Sequence, residues 1–212
     1  MITVPEATKT IIERSRFLSE AISKRLINYS SLARYIKPEL EEMLIKKVSQ
    51  GSIIMALKRL ESEFVPKYNP QNVFSEAPEM NIRSNLYFVS LSNNEVTGLS
   101  ILISREATAR SLYCQVKGLY ESTFLLSEDL YNQFKNAIED RNPIIKTQKV
   151  SCLTISLPTK AREASGIYYF FLKSIAWEGI NVLGSISTIH ELTLIFDDKD
   201  VDRAFKIVRS LF

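Results

Sequence analysis

Histidine, cysteine and glycine are scarce in this chain: one, two and six in 212 residues. Each shortage closes off a class of chemistry. With His190 alone there is no histidine pair for a metal or a proton relay, and neither Cys114 nor Cys152 has a partner at a metal-ligand spacing, so no metal site is expected. The glycines at 166, 179 and 184 do not form a dinucleotide cradle, and no phosphate-binding glycine loop ending in Lys-Ser or Lys-Thr is present. No nucleotide or other cofactor is therefore expected. A Ser–His or Cys–His couple has no support either, so no catalytic residue is assigned and the chain reads as a non-enzyme.

Long apolar runs are missing as well. The longest, Ile167–Leu172, has six residues, against the roughly 18–20 that cross a bilayer. The opening "MITVPEATKTIIERSRF" lacks the apolar core of a secretion signal. Both cysteines fall in strand-like runs and read as buried, reduced thiols, which points to a cytoplasmic location and no membrane partner.

What is present is an ordinary folded composition, 45% apolar and 24% charged. Charge is spread unevenly. Residues 1–67 carry 12 Lys and Arg against 8 Asp and Glu, while the remainder carries 15 against 16. Any polyanionic partner would therefore meet the N-terminal third, although an excess of four charges does not establish one.

Periodicity divides the chain into three parts. Residues 1–65 read as helical throughout. Thr8 to Ile22 is amphipathic, and residues 28–64 hold three short helical runs. Ser30 is expected to cap the first run, Pro38 to open the second, and Ser49 or Ser52 to cap the third. Ile53, Leu57, Leu60 and Phe64 form the apolar stripe of that third run. "VPKYNPQNVFSEAPEMN" (65–81) has three prolines and no period, so 66–82 is read as an ordered linker draped over a neighbour.

Beyond it lies a repeat. "YESTFLLSEDLYNQFKNAI" (120–138) resembles "HELTLIFDDKDVDRAFKIV" (190–208) in strand, acidic helix start and one-faced helix. Leu86–Leu91 and Ser151–Leu157 are the matching first strands, and Arg110–Lys117 matches Asn181–Ser187 as the second. The expected architecture is α+β: a helical, helix-turn-helix-like domain (1–65), a linker (66–82), and two ferredoxin-like β-α-β-β-α units (83–149 and 150–212) packed together. "KTQKV" (146–150) is expected to close the first unit with a fourth strand, which leaves none for the second. That gap, together with a helix at 166–178 apolar over most of its circumference, favours a homodimer.

Two binding sites are candidates. One is a small-molecule site at Ser165, Gly166 and Ile167, where free backbone N–H groups at a helix start hold a carboxylate, with Asn181 as a two-way polar contact. The bland alternative is a tight turn at Gly166 and a strand-start asparagine. The other is a DNA face: Gln50, Ser52, Lys58 and Arg59 on the polar side of the last N-terminal helix, with Arg34 and Lys37 on phosphates. Its alternative is a helical domain that docks on protein. Asp197, Asp198, Asp200 and Asp202 read as dipole-complementing residues at a helix start rather than a metal cluster.

Residues 150–208, "VSCLTISLPTKAREASGIYYFFLKSIAWEGINVLGSISTIHELTLIFDDKDVDRAFKIV", resemble an ACT domain in the style of the regulatory tail of aspartate kinases. The joint "SIAWEGINVLGSIST" is similar to that family's helix-Gly-Ile-Asn-strand turn. The family's Pro-Gly before the first helix is Ser165–Gly166 here. The first copy carries the resemblance only through the repeat, and residues 1–65 are similar to helix-turn-helix-like regions that precede paired ACT domains in other prokaryotic proteins. The resemblance implies regulation, pairing of units into a continuous sheet, and an amino acid bound near the first loop and first helix, at Ser165, Gly166, Ile167 and Asn181. No kinase activity is expected. A module that only assembles subunits is the alternative.

Overall fold

The computed structural model describes residues 2–61 and 73–212, and the chain forms two compact units that meet in sequence near position 70. The first is helical. Helix α1 (Val4–Arg14) opens on a reciprocal cap: the Thr3 N–H donates to Glu6 Oε2 at 2.8 Å, and the Glu6 N–H donates back to Thr3 Oγ1 at 3.4 Å. The amphipathic run does not continue through residue 22 as one helix. It breaks at Ser15, whose hydroxyl accepts from the Leu18 N–H and starts α2 (Arg16–Ser23).

Two of the three expected runs at 28–64 are a single helix, α3 (Tyr29–Leu44). Asn28, not Ser30, caps it, accepting the Ser31 N–H at 3.0 Å. Pro38 sits inside α3 rather than at a helix start. Pro38 and Arg34 are both exposed, so the Arg34 carbonyl that loses its partner lies on the side of α3 open to solvent. Ile45 closes the helix in the left-handed conformation (φ 52°), and Ser49 caps α4 (Gln50–Leu60) as expected. Ala7, Ile11, Ile12, Leu32, Ile36, Leu40, Ile53 and Leu57 form the core of this unit. Phe64 of the expected stripe and linker positions 66–72 lie outside the described residues.

The second unit is one antiparallel sheet with helices on one face. In chain order it holds β1 (Met80–Ser92), α5 (Leu99–Glu106), β2 (Tyr113–Lys117), β3 (Glu121–Ser127), α6 (Glu128–Glu139), β4 (Gln148–Ser156), α7 (Ile167–Trp177), β5 (Gly184–Ser187), β6 (Glu191–Asp197) and α8 (Val201–Arg209). The strand order is β2-β3-β1-β4-β6-β5. Each half therefore has three strands, and the two halves join where β1 pairs with β4.

The register makes the repeat geometric. Leu86 faces Ser127 on one side and Val150 on the other, and Val150 faces Asp197 and Leu86. A pseudo-two-fold axis thus runs between Leu86 and Val150. First strands correspond at an offset of 64 residues and the later strands at 70. The hydroxyl pairs Ser90–Thr123 (2.7 Å) and Thr154–Thr193 (2.8 Å) occupy equivalent places.

This pairing overturns the expected fourth strand at 146–150. Residues 148–150 begin β4 and pair with 86–88 of β1, so each half is completed by the other's first strand. It also accounts for residues 80–82, read as linker: Met80–Arg83 pair with β4 alone, the apolar Met80 and Ile82 half-buried and the polar Asn81 and Arg83 exposed.

Alternation along the strands builds two cores. Val89, Leu91, Phe124 and Leu126 point to α5 and α6, and meet Leu99, Ile103, Leu130 and Ile138. In the second half Leu153, Ile155, Leu194 and Phe196 are buried on the same face, with Phe171, Ile175, Val201 and Ala204 from α7 and α8. The opposite, helix-free face carries Leu86, Leu125, Val150, Cys152 and Ile195, all buried. They are buried because the sheet curls on itself. A flat sheet would hold β1 and β5 about 14 Å apart, three strand spacings, yet a Cβ placed on Gly184 would lie 3.1 Å from Phe88 Cζ.

Candidate functional site

Helix α7 begins at Gly166, whose φ of 91° is costly for any other residue. It ends in a paired glycine cap: the Gly179 N–H (φ 69°) donates to the Ala176 carbonyl at 3.0 Å and the Ile180 N–H to Ile175 at 3.3 Å. From there the chain does not enter the middle of the sheet. Leu183 donates to Ile195 at 2.8 Å, and the strand that follows, β5, is an edge.

The start of α7, the short 3₁₀ turn at Thr159–Glu163 and the outer end of β5 enclose a cleft of about 470 Å³. Leu157, Ala161 and Ile167 form its apolar side. Arg162, Tyr168, Ser187, Thr188 and the Gly166 backbone supply the polar side. The Tyr168 and Ser187 hydroxyls meet at 2.7 Å, and the Ser187 hydroxyl also donates to the carbonyls of Thr188 (3.1 Å) and Glu191 (3.2 Å). The opening of the helix presents N–H groups that no carbonyl of α7 accepts, and Arg162 adds a full positive charge, so this end suits an anion.

Of the four residues named from sequence, Gly166 and Ile167 line the cleft. Ser165 is exposed beside it, and Asn181 lies exposed at the far end of α7. The structure therefore does not bring Asn181 to the others. Sequence reasoning missed Arg162, Ser187, Thr188 and Ile189. The repeat held the signal, since the turn after β5 matches the turn after β2.

Trp177 is 72% exposed on this chain. The Lys173 ammonium lies 5.1 Å from its ring centroid and 5.4 Å from that of Tyr169. The second cover expected for α7 comes from Phe74 and Phe212, whose rings pack at 4.9 Å, with Phe74 6.0 Å from Phe171.

Other candidates resolve locally. Asp200 and Asp202 sit at the start of α8, Asp197 accepts from the Gln148 amide, and Asp198 accepts from Ser151 at 2.6 Å. Among the described residues no cluster of three His, Cys, Asp or Glu side chains is placed to hold a metal. His190 is exposed in a turn and offers its carbonyl to the Leu157 N–H. Cys114 and Cys152 are free thiols whose burial raises their pKa above the ordinary value.

In the helical unit, Gln50 donates its amide to the Ser30 carbonyl at 3.0 Å, and Ser52 shares a hydrogen bond with the capping Ser49 at 2.8 Å. Lys37 reaches Glu41 at 3.8 Å and Arg34 reaches Ser31 at 3.3 Å. Lys58 and Arg59 occupy the last turn of α4, where cations complement the helix dipole. These local roles supply no support for a DNA-reading face. Among the described residues no helix is long and apolar enough to cross a membrane.

No protein-family model and no curated protein match the chain. Solved structures do. The aspartate kinase of Clostridium acetobutylicum, an allosteric enzyme, superposes with a TM-score of 0.54 at 12% identity, over 70% of this chain and 37% of that one. The ligand-free regulatory subunit of aspartate kinase from Thermus thermophilus superposes with a TM-score of 0.51 at 11% identity, over 65% of this chain and 99% of that one. The chain thus spans little more than a third of the kinase's length and nearly all of the regulatory subunit's. At these identities the likeness shows the fold alone, an α+β architecture shared with these structures.

Proposed function

We propose that the chain is a non-enzymatic regulatory protein whose ACT-like pair senses a free amino acid in the cleft at the start of α7. The observation that carries this is the cleft's make-up: a left-handed Gly166 opening a helix, the Arg162 cation, and the apolar side chains of Leu157, Ala161 and Ile167. A carboxylate fits the first two, and a small side chain fits the third. The continuous six-stranded sheet supports the reading, since α7 packs on α8, α8 packs on β4, and β4 pairs with β1.

The homodimer belongs to the same proposal on narrower ground. The β1–β4 pairing supplies from within the chain the strand that the second unit lacks, so the argument for a second copy rests on the exposed Tyr168, Tyr169 and Trp177 of α7.

The test is a thermal-shift screen of the twenty free L-amino acids. A ligand at a hundredfold excess over its Kd stabilises by about 2.7 kcal/mol, a rise of roughly 5–10 °C for a domain of this size. One amino acid, or a few related ones, should raise Tm, and Arg162→Ala should lower that affinity without changing the unliganded Tm. Flat curves across the panel would overturn amino-acid sensing and leave the assembly module. Light scattering on the same samples reads the dimer, and a mass of one chain at all concentrations would rule it out.

A further inference from the structure

The charges and hydroxyls around the cleft restrict what kind of amino acid it can hold. Arg162 is the one formal charge among the described residues that line it, and no Asp, Glu or Lys joins it there. A ligand carboxylate balances that cation, so no counter-charge is left for a second ion on the ligand's side chain. Charge taken out of water without a counter-ion is costly, which disfavours acidic and basic side chains alike. Leu157, Ala161, Ala164, Ile167 and Ile189 also line the cleft, and all five are aliphatic.

With no carboxylate in the lining, the ligand's ammonium group must be met by neutral acceptors. The hydroxyls decide which side chain serves. Ser187 has a single hydroxyl hydrogen. Its Oγ lies 3.1 Å from the Thr188 carbonyl and 3.2 Å from the Glu191 carbonyl, and neither carbonyl can donate, so the hydrogen is directed at those two oxygens. In the 2.7 Å contact between Ser187 and Tyr168 the donor is therefore Tyr168. Its hydrogen is spent, and the Tyr168 oxygen has only lone pairs left to offer. Tyr168 stands in the first turn of α7, lines the cleft and is half-exposed.

We infer that the cleft selects a neutral amino acid with an aliphatic side chain, and that Tyr168 reads the ammonium group of that ligand through an oxygen that can only accept. The inference rests on the amino-acid reading above and deepens it. It names the ligand class and the residue that tells an amino acid from the carboxylic acid lacking its amino group. The bond is charge-assisted on the ligand's side, so its loss is large enough to measure.

The experiment is titration calorimetry of the full chain with the free L-amino acids and with the des-amino acids of leucine and valine, 4-methylpentanoate and 3-methylbutanoate. Alanine, valine, leucine or isoleucine should bind most tightly. Lysine, arginine, aspartate and glutamate should be weaker by about tenfold or more, and so should each des-amino acid against its parent, as for loss of a hydrogen bond to a charged group. Tyr168→Phe should weaken leucine and valine by about tenfold and leave their des-amino acids unchanged. A residue that only shaped the cleft would move both. Tightest binding of a charged or polar amino acid, an undiminished des-amino acid, or equal losses for both ligands in Tyr168→Phe would each overturn the inference while amino-acid binding itself stands. No binding by any amino acid would instead remove the sensing reading, and this inference with it.

Discussion

Replacing Gly184 with alanine tests the curl of the sheet, on which the helix-free core and the position of β5 depend. The added Cβ would lie 3.1 Å from Phe88 Cζ and 3.3 Å from Ile195 Cδ1, both closer than ordinary van der Waals contact. Overpacking of this kind costs about 1–3 kcal/mol. Alanine recovers about 0.5–1 kcal/mol in a strand because it loses less backbone entropy on folding. The steric term wins, leaving a net loss of roughly 0.5–2 kcal/mol, a fall in Tm of about 2–6 °C for a chain of this size. Urea denaturation at constant m-value reads it directly. The same substitution in a Phe88→Leu background should be neutral or stabilising, because the atoms in the way are gone. The difference between backgrounds should reach about 1 kcal/mol, as for residues in contact. Equal effects in both would refute the packing of Phe88 over Gly184, and with it the reason that Leu86, Leu125, Val150 and Ile195 are buried without a covering helix.

Two further perturbations address the helical unit. Pro38→Ala should stabilise α3 by about 2 kcal/mol, since an interior proline costs around 3 kcal/mol and alanine gives back under 1 kcal/mol through the unfolded chain. Hydrogen exchange across 34–42 should slow, and no gain in either measurement would mean that α3 is not continuous through Pro38. The Thr3 backbone N–H, then its hydroxyl, hold the Glu6 carboxyl below its ordinary pKa of 4.5. A depressed folded pKa gives support that is complete above the ordinary value and lost as pH falls through the folded one. The first turn of α1 should therefore fray in acid below that ordinary value, followed by NMR of the 4–8 amides, and fraying above it would contradict the cap.

Much of the second unit was legible before the fold was known, because alternation and helical period are local. The acidic starts of α6 and α8, the strand-helix pairs at 120–138 and 190–208, and the glycine turn after α7 follow from residues within a few positions of one another. Pro38 misled for the same reason: a proline signals a helix start locally, and only packing of Leu32, Ile36 and Leu40 on one side of it carries the helix through.

The partner of β1 was not legible. A strand's edge chooses its neighbour through backbone hydrogen bonds that any residue makes, so the alternation in "MNIR" can mark a strand but does not name β4 as its neighbour. The candidate cleft divides along the same line. Gly166 and Ile167 announce a helix start by themselves, whereas grouping Asn181 with them assumes that its strand adjoins that start, and it is separated from them by the length of α7. Arg162, Thr188 and Ile189 meet Gly166 only because β5 lies at the sheet's edge and brings its turn back over the helix start. Sequence by itself determined most elements of the second unit, its repeat and the α+β class. Tertiary structure alone decided that the halves complete one sheet and that this sheet curls, since each depends on contacts between residues far apart in the chain.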